Sequence, residues 1–220
     1  MIKQILNKPF FRWIIQRWTK SRFKPLFILW MALYQKGKIL MAYKEARFLY
    51  KWVKKTKKID GAIAEVGVYK GGSARIIREA DKKKEFYLID TFRGIPSIDE
   101  IDLLANTGIV RQGKFEDTSI KEVEKTLGKL KNVFCFVGEF PNILLPERVY
   151  SFVHLDVDTY KSTKNCLEYF YPRMLEGGVI ISHDYSNPEV SGVKRAFDEF
   201  FKNDPKKIEL GFNTQCIIKI

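Results

Sequence analysis

From Phe10 to Tyr50 the apolar residues recur at helical spacing with Lys and Arg between them, as in Leu40, Tyr43, Arg47, Tyr50 and Lys51. That period predicts two or three amphipathic helices, broken near Pro25 and Gly37. Beyond the lysine-rich stretch Lys54 to Lys58 the pattern changes to short apolar runs: Ala62–Val68, Phe86–Ile89, Val133–Val137, Val149–Leu155 and Val179–Ser182. Helical spacing falls between and after them, at about Gly72–Ala80, Ser119–Leu130, Ser162–Tyr171 and Ser191–Phe201. Runs apolar on both faces, alternating with helices, belong to a parallel sheet covered on both sides. The closing runs Lys207–Leu210 and Gln215–Ile220, joined through Gly211–Thr214, read as a hairpin that supplies one antiparallel strand. The predicted fold is therefore a doubly wound, mostly parallel α/β domain over residues 59–220, preceded by a helical extension over residues 1–58. Thr91 to Thr118 is the longest stretch without periodicity, and it is read as a lid over the active site.

Charge divides the chain in the same place. Of its 39 Lys and Arg residues, 16 lie between Met1 and Asp60, where Glu45 and Asp60 are the acidic residues, so the excess of +13 is a property of the extension. Such asymmetry marks a segment that approaches an anionic surface: lipid head groups, an acidic substrate or nucleic acid. The cysteines Cys135, Cys166 and Cys216 sit far apart among apolar neighbours, as small core residues of a reducing compartment do. Met1 to Thr19 lacks the form of a signal peptide. The uncharged apolar run Pro25 to Tyr34 is about half of the roughly 20 residues that span a bilayer, so no transmembrane helix is expected. The expected location is the cytoplasm.

In an open α/β sheet, ligands collect at the carboxyl ends of the strands. The first strand ends in Glu65-Val66-Gly67-Val68-Tyr69-Lys70-Gly71-Gly72-Ser73, an acid followed by glycines that permit a turn and close backbone approach. Val68-Tyr69 follows Gly67 where a dinucleotide-binding loop has its second glycine, and an acid here suits a cationic amino group better than a pyrophosphate. The second strand ends in Asp90-Thr91, with Asp90 at about the separation used to hold ribose hydroxyls, a group common to nucleotide cofactors and S-adenosylmethionine (SAM). Two later strands deliver Asp156, His183 and Asp184 to the same edge, a set suited to a divalent metal or a general base. His154 shares a strand face with Asp156 and is either part of this set or a satisfied core histidine. Asp158 fits a helix cap ahead of Ser162.

Taken in order, Ala64-Glu65-Val66-Gly67-Val68-Tyr69-Lys70-Gly71-Gly72, Asp90-Thr91-Phe92-Arg93-Gly94-Ile95-Pro96, His154-Leu155-Asp156-Val157-Asp158-Thr159-Tyr160 and Tyr171-Pro172 with Gly177-Gly178 resemble the macrocin O-methyltransferase family of antibiotic-sugar methyltransferases. The resemblance runs from Ile59 to Ile220. It implies a seven-stranded SAM-dependent fold and methyl transfer to a hydroxyl of a sugar, glycolipid or glycoside. It also implies that the glycine loop holds the methionine part of SAM, Asp90 the ribose, and Gly138-Glu139 the adenine. An Asp at the position of Asp156 would take the acceptor proton and help bind magnesium, completed by an acidic pair after the fifth strand. Here that pair is His183-Asp184, and an imidazole in place of a hard oxygen ligand weakens magnesium and favours manganese, iron or zinc.

The family's N-terminal helices contribute oligomer contacts or part of the substrate pocket, so a homo-oligomer is expected. Trp13, Trp18 and Trp30, interleaved with Lys and Arg, also suit peripheral attachment to anionic lipid at the inner face of the membrane, or an aromatic dimer contact. A basic polyanion-binding protein using the α/β domain as scaffold is the alternative class, disfavoured by the acidic strand edge. A nicotinamide-dependent dehydrogenase shares the fold class but not the loop spacing. No nucleic-acid partner is expected.

Overall fold

A computed structural model describes residues 24–96, 98–103, 110–128 and 131–220. Its element order is α1 (Lys24–Gln35), α2 (Tyr43–Thr56), β1 (Ala62–Val66), α3 (Gly72–Ala80), β2 (Phe86–Asp90), α4 (Glu100–Leu103), α5 (Ile120–Leu127), β3 (Val133–Val137), β4 (Tyr150–Leu155), α6 (Tyr160–Phe170), β5 (Met174–Ser182), α7 (Ser191–Phe200), β6 (Ile208–Leu210) and β7 (Cys216–Lys219). The strands form one seven-stranded sheet in the order β3-β2-β1-β4-β5-β7-β6. β1 to β5 are parallel, and β7 inserts antiparallel between β5 and β6. This is the doubly wound, mostly parallel sheet that the apolar runs predict, closed by the expected hairpin.

Because successive side chains in a strand point to opposite faces, the sheet divides the apolar residues into two layers. One holds Ala64, Val66, Tyr87, Ile89, Val153, Leu155 and Ile180 against α6 and α7 through Leu167, Phe170, Val193 and Phe197. The other holds Ile63, Phe86, Leu88, Phe152, Val179 and Ile181 against α1, α2, α3 and α5 through Leu33, Leu49, Ile77 and Val123. The two described helices of the extension thus share a core with the sheet. Gly37 ends the turn after α1 with φ +61°, as the sequence leads one to expect, and Trp30 donates its indole N–H to the Met41 carbonyl at 3.0 Å. Pro25 lies within the first turn of α1 as described; Trp13 and Trp18 lie outside the described residues. Glu45, in the first turn of α2, accepts from the Ala42 amide at 2.6 Å and the Asn213 side chain at 3.1 Å, which joins α2 to the β6–β7 hairpin. Cys166 and Cys216 are buried and Cys135 half-buried, all unpaired and packed as core residues.

Candidate active site

A cleft of about 280 Å³ lies along the carboxyl edge of β1, β2, β4 and β5, where strands give way to helix N-termini. Its first wall is the turn after β1. The Asp156 amide donates to the Val66 carbonyl at 2.9 Å, so the ends of β1 and β4 touch. Gly67 follows with φ +83°, and a Cβ there would lie 1.8 Å from the Asp156 carbonyl oxygen. The glycine is required by the close approach of the chain leaving β4 as well as by the turn. Gly72, at the start of α3, lies under the chain from Lys38 to Ile39, since a Cβ would meet the Lys38 carbonyl oxygen at 2.2 Å.

Asp90, at the end of β2, holds this turn in shape. Its Oδ2 accepts from the amides of Val68 at 2.6 Å and Tyr69 at 2.9 Å, and its Oδ1 accepts from Phe92 at 2.7 Å. Asp90 lines the cleft, its carboxylate has capacity to accept beyond these bonds, and Thr91 follows it along the wall. Next around the rim, Gly138 donates its amide to the Asp90 carbonyl at 3.0 Å and stands beside Glu139 in the cleft. The segment after β2 borders the opening through Gly94, Ile95, Pro96, Lys114 and Phe115. It folds on itself through the Ile95 and Gly113 amides, and the Tyr69 hydroxyl bonds Asp117 at 2.9 Å.

The opposite wall carries the charge. β4 and β5 pair His154 with Ile181 and Leu155 with Ser182, which places Asp156 level with His183. Carboxylate oxygens of Asp156, Asp158 and Asp184 lie within 4.8 Å of one another, as do donor atoms of His154, Asp156 and His183. Burial pushes the Asp156 carboxyl well up from the usual range, opposed by His183 and reinforced by Asp184 and Asp158. Asp158 is pushed up to about 7, by burial and then by the Asp184 charge. Burial disfavours a charged His183, yet Asp156, Asp184, Glu45 and Asp158 together overcome it and raise the imidazole to about 9. A concentration of carboxylates around partly buried imidazole is an environment that a bound cation would relieve.

Behind this wall Glu65 and His154 form a fully buried pair across β1 and β4, with Glu65 Oε1 2.8 Å from His154 Nδ1. Burial, opposed by the nearby Ser73 hydroxyl and aided by the Asp90 charge, raises Glu65 to about 8. Burial, with the His183 charge, lowers His154 to about 3, so this imidazole is neutral.

Of the residues expected at the site, the structure places Gly67, Tyr69, Gly72, Ser73, Asp90, Thr91, Gly138, Glu139, Asp156, His183 and Asp184 on the cleft. Glu65 and Gly71 stand outside its wall. Gly71 instead shapes the start of α3 with φ +78°, and Glu65 faces His154. The expected metal trio divides between two donor groups that share Asp156, His183 joining His154 and Asp184 joining Asp158. The reading of Asp158 as a helix cap gives way. Thr159 is the residue ahead of α6, the first helical amide of Tyr160 donates to Asp102 at 2.8 Å, and Asp158 turns into the acidic group with φ +58°. Sequence reasoning also missed Lys38, Ile39 and Met41, which reach the cleft from the chain between α1 and α2.

The sheet order and the placement of its ligand-facing edge define a class, the Rossmann-like fold of the SAM-dependent O-methyltransferases. Solved structures share it: that of the O-methyltransferase NovP superimposes with a TM-score of 0.70 at 22% identity over 83% of this chain and 81% of that one. The calicheamicin methyltransferase CalS11 does so with a TM-score of 0.68 at 18% identity, over 97% and 93%. Residues 48–212 match the macrocin-O-methyltransferase (TylF) family, and the chain belongs to it. Among curated relatives, the 8-demethyl-8-(2,3-dimethoxy-α-L-rhamnosyl)-tetracenomycin-C 4'-O-methyltransferase of Streptomyces olivaceus is 26% identical over 147 residues, covering 58% of this chain and 54% of its own. Mycinamicin III 3''-O-methyltransferase of Micromonospora griseorubida is 28% identical over 145 residues, 59% and 57%. This chain spans about half the length of these curated relatives.

Proposed function

We propose that this protein is a SAM-dependent O-methyltransferase that methylates a hydroxyl of a sugar or glycoconjugate. The observation that carries the reading is the two-sided cleft: a glycine turn with Asp90 and Gly138-Glu139 on one wall, and Asp156 with His183 and Asp184 on the other. The named sugar O-methyltransferases among its relatives support the acceptor class.

In this reading the turn from Gly67 to Ser73 receives the methionine part of SAM, Asp90 holds the ribose and Gly138-Glu139 flank the adenine. Bound SAM supplies an electrophilic methyl sulfonium. A sugar hydroxyl is a poor nucleophile until its proton is removed, and Asp156 is placed to accept that proton as the oxygen bonds the methyl carbon and the carbon–sulfur bond breaks. A divalent metal held at Asp156, with the His154 and His183 imidazoles or with the Asp158 and Asp184 carboxylates as its other ligands, would stabilise the alkoxide that develops.

An acceptor presented on a lipid would be reached by peripheral attachment through the basic residues 1–58. No helix among the described residues is long and apolar enough to cross a membrane. Flotation with anionic liposomes tests the attachment: the intact chain floats and a chain lacking residues 1–24 does not, and failure of both to float refutes it. Calorimetric titration with SAM and with NADH, repeated on Asp90→Ala, tests the cofactor. Binding of SAM alone, weakened by the substitution, supports the reading; a folded protein that binds no SAM overturns it.

A further inference from the structure

The donor set at the back of the cleft differs from a hard-oxygen site, and the difference is built into the sheet. β1 and β4 pair Glu65 with His154, β4 and β5 pair His154 with Ile181, and His183 lies two residues beyond Ile181. With the two-residue period of strands, Glu65, His154, Asp156 and His183 share one sheet face. His154 Nε2 and His183 Nδ1 are buried nitrogens without a hydrogen-bond partner among the described residues. His154 is 0% exposed. Two such orphaned buried nitrogens beside a carboxylate are costly unless something partners them. The donor atoms of His154, Asp156 and His183 already lie within 4.8 Å of one another, close to the separation that one ion bridges.

We infer that His154 Nε2, Asp156 and His183 Nδ1 bind a first-row transition-metal ion, with Glu65 as the orienting carboxylate behind His154, in preference to magnesium. The inference deepens the methyltransferase reading by naming the metal and its ligands, and rests on that reading only for the ion's use. Glu65 Oε1 lies 2.8 Å from His154 Nδ1 and engages that ring nitrogen, which leaves Nε2 as the nitrogen without a protein partner, an arrangement in which a buried carboxyl group orients a metal-binding imidazole. Two imidazoles and one carboxylate select manganese, iron, cobalt or zinc, because nitrogen donors bind these ions well and magnesium poorly. The competing donor group is the carboxylates of Asp156, Asp158 and Asp184, which suits magnesium. Asp156 belongs to both groups, so one substitution in each, away from Asp156, separates them.

The test uses the full chain without a polyhistidine tag, freed of metal by a chelator. Cobalt(II) is followed by visible absorption and calorimetry beside magnesium, and manganese(II) by pulsed electron paramagnetic resonance. The expected results are cobalt binding far tighter than magnesium and nitrogen couplings from imidazole in the manganese spectrum. His154→Gln and Glu65→Gln should each weaken cobalt by roughly tenfold or more, with Asp158→Asn close to the parent. The manganese spectrum of the unsubstituted chain needs no variant to fold. Absence of nitrogen couplings, magnesium binding as tight as cobalt, or loss of cobalt in Asp158→Asn but not in folded His154→Gln overturns the inference. SAM titration of the same metal-free protein separates the two ideas: SAM binding without nitrogen-ligated metal sinks this inference alone, and nitrogen-ligated metal without SAM binding sinks the methyltransferase reading alone.

Discussion

Gly67→Ala is the substitution that most sharply tests how the sheet builds its cleft. Gly67 has φ +83°, and its added Cβ would lie 1.8 Å from the Asp156 carbonyl oxygen and 2.7 Å from the Asp156 carbonyl carbon. The left-handed backbone costs about 1–2 kcal/mol for alanine. Relieving backbone overlap between two strand ends adds about 1–3 kcal/mol. The total of about 2–5 kcal/mol corresponds to a fall in melting temperature of roughly 4–20 °C for a domain of this size. Gly37→Ala is the control, because it has φ +61° but no atom within 4 Å of the new Cβ. It should lose only the backbone component, about 1–2 kcal/mol. Thermal denaturation followed by circular dichroism compares the two, and calorimetry reads SAM binding in each. Gly67→Ala should melt clearly below Gly37→Ala and bind SAM more weakly, because the displaced chain carries both the turn and Asp156. Equal melting temperatures together with parental SAM affinity would refute the reasoning.

Asp102→Ala should destabilise the protein by about 1–2 kcal/mol, as loss of a helix cap does, since Asp102 accepts from the first amide of α6 at 2.8 Å. Asp102→Asn keeps the acceptor and should recover most of that loss in chemical denaturation; equal losses would contradict the cap. Phe170→Ala removes a fully buried ring packed 5.0 Å from Tyr150 and 5.6 Å from Phe140 between centroids. It should cost about 3–5 kcal/mol, and a loss under about 1 kcal/mol in urea unfolding would mean that the α6 layer is packed differently.

The parallel sheet was legible because its strands are apolar on both faces. Val133–Val137 and the helix Gly72–Ala80 emerge with the bounds that their patterns imply. β5 begins at Met174 rather than Val179 because Glu176-Gly177-Gly178 reads locally as a loop; the strand continues through a register shift opposite Tyr150 and Phe152, with Gly177 at φ +77°. α6 begins at Tyr160, ahead of the apolar period, because its cap comes from Asp102, 58 residues earlier in the chain. The stretch after β2 has no period because its order comes from distant partners: Ile95 and Val110 are buried in the α6–α7 layer, and Asp117 bonds Tyr69. Strand-end chemistry was legible for Asp90, Asp156, His183 and Asp184, whose positions follow from where each apolar run stops. The depth of Glu65 was less so. Its partner His154 is set by strand order and register, neither of which is written in the local pattern.

The most direct measurement is calorimetric titration of the purified full chain with SAM and NADH, carried out beside Asp90→Ala. The account predicts SAM binding without NADH binding, weakened in Asp90→Ala because that carboxylate shapes the turn through the amides of Val68, Tyr69 and Phe92. A folded protein that binds NADH, or that binds no SAM, would contradict it.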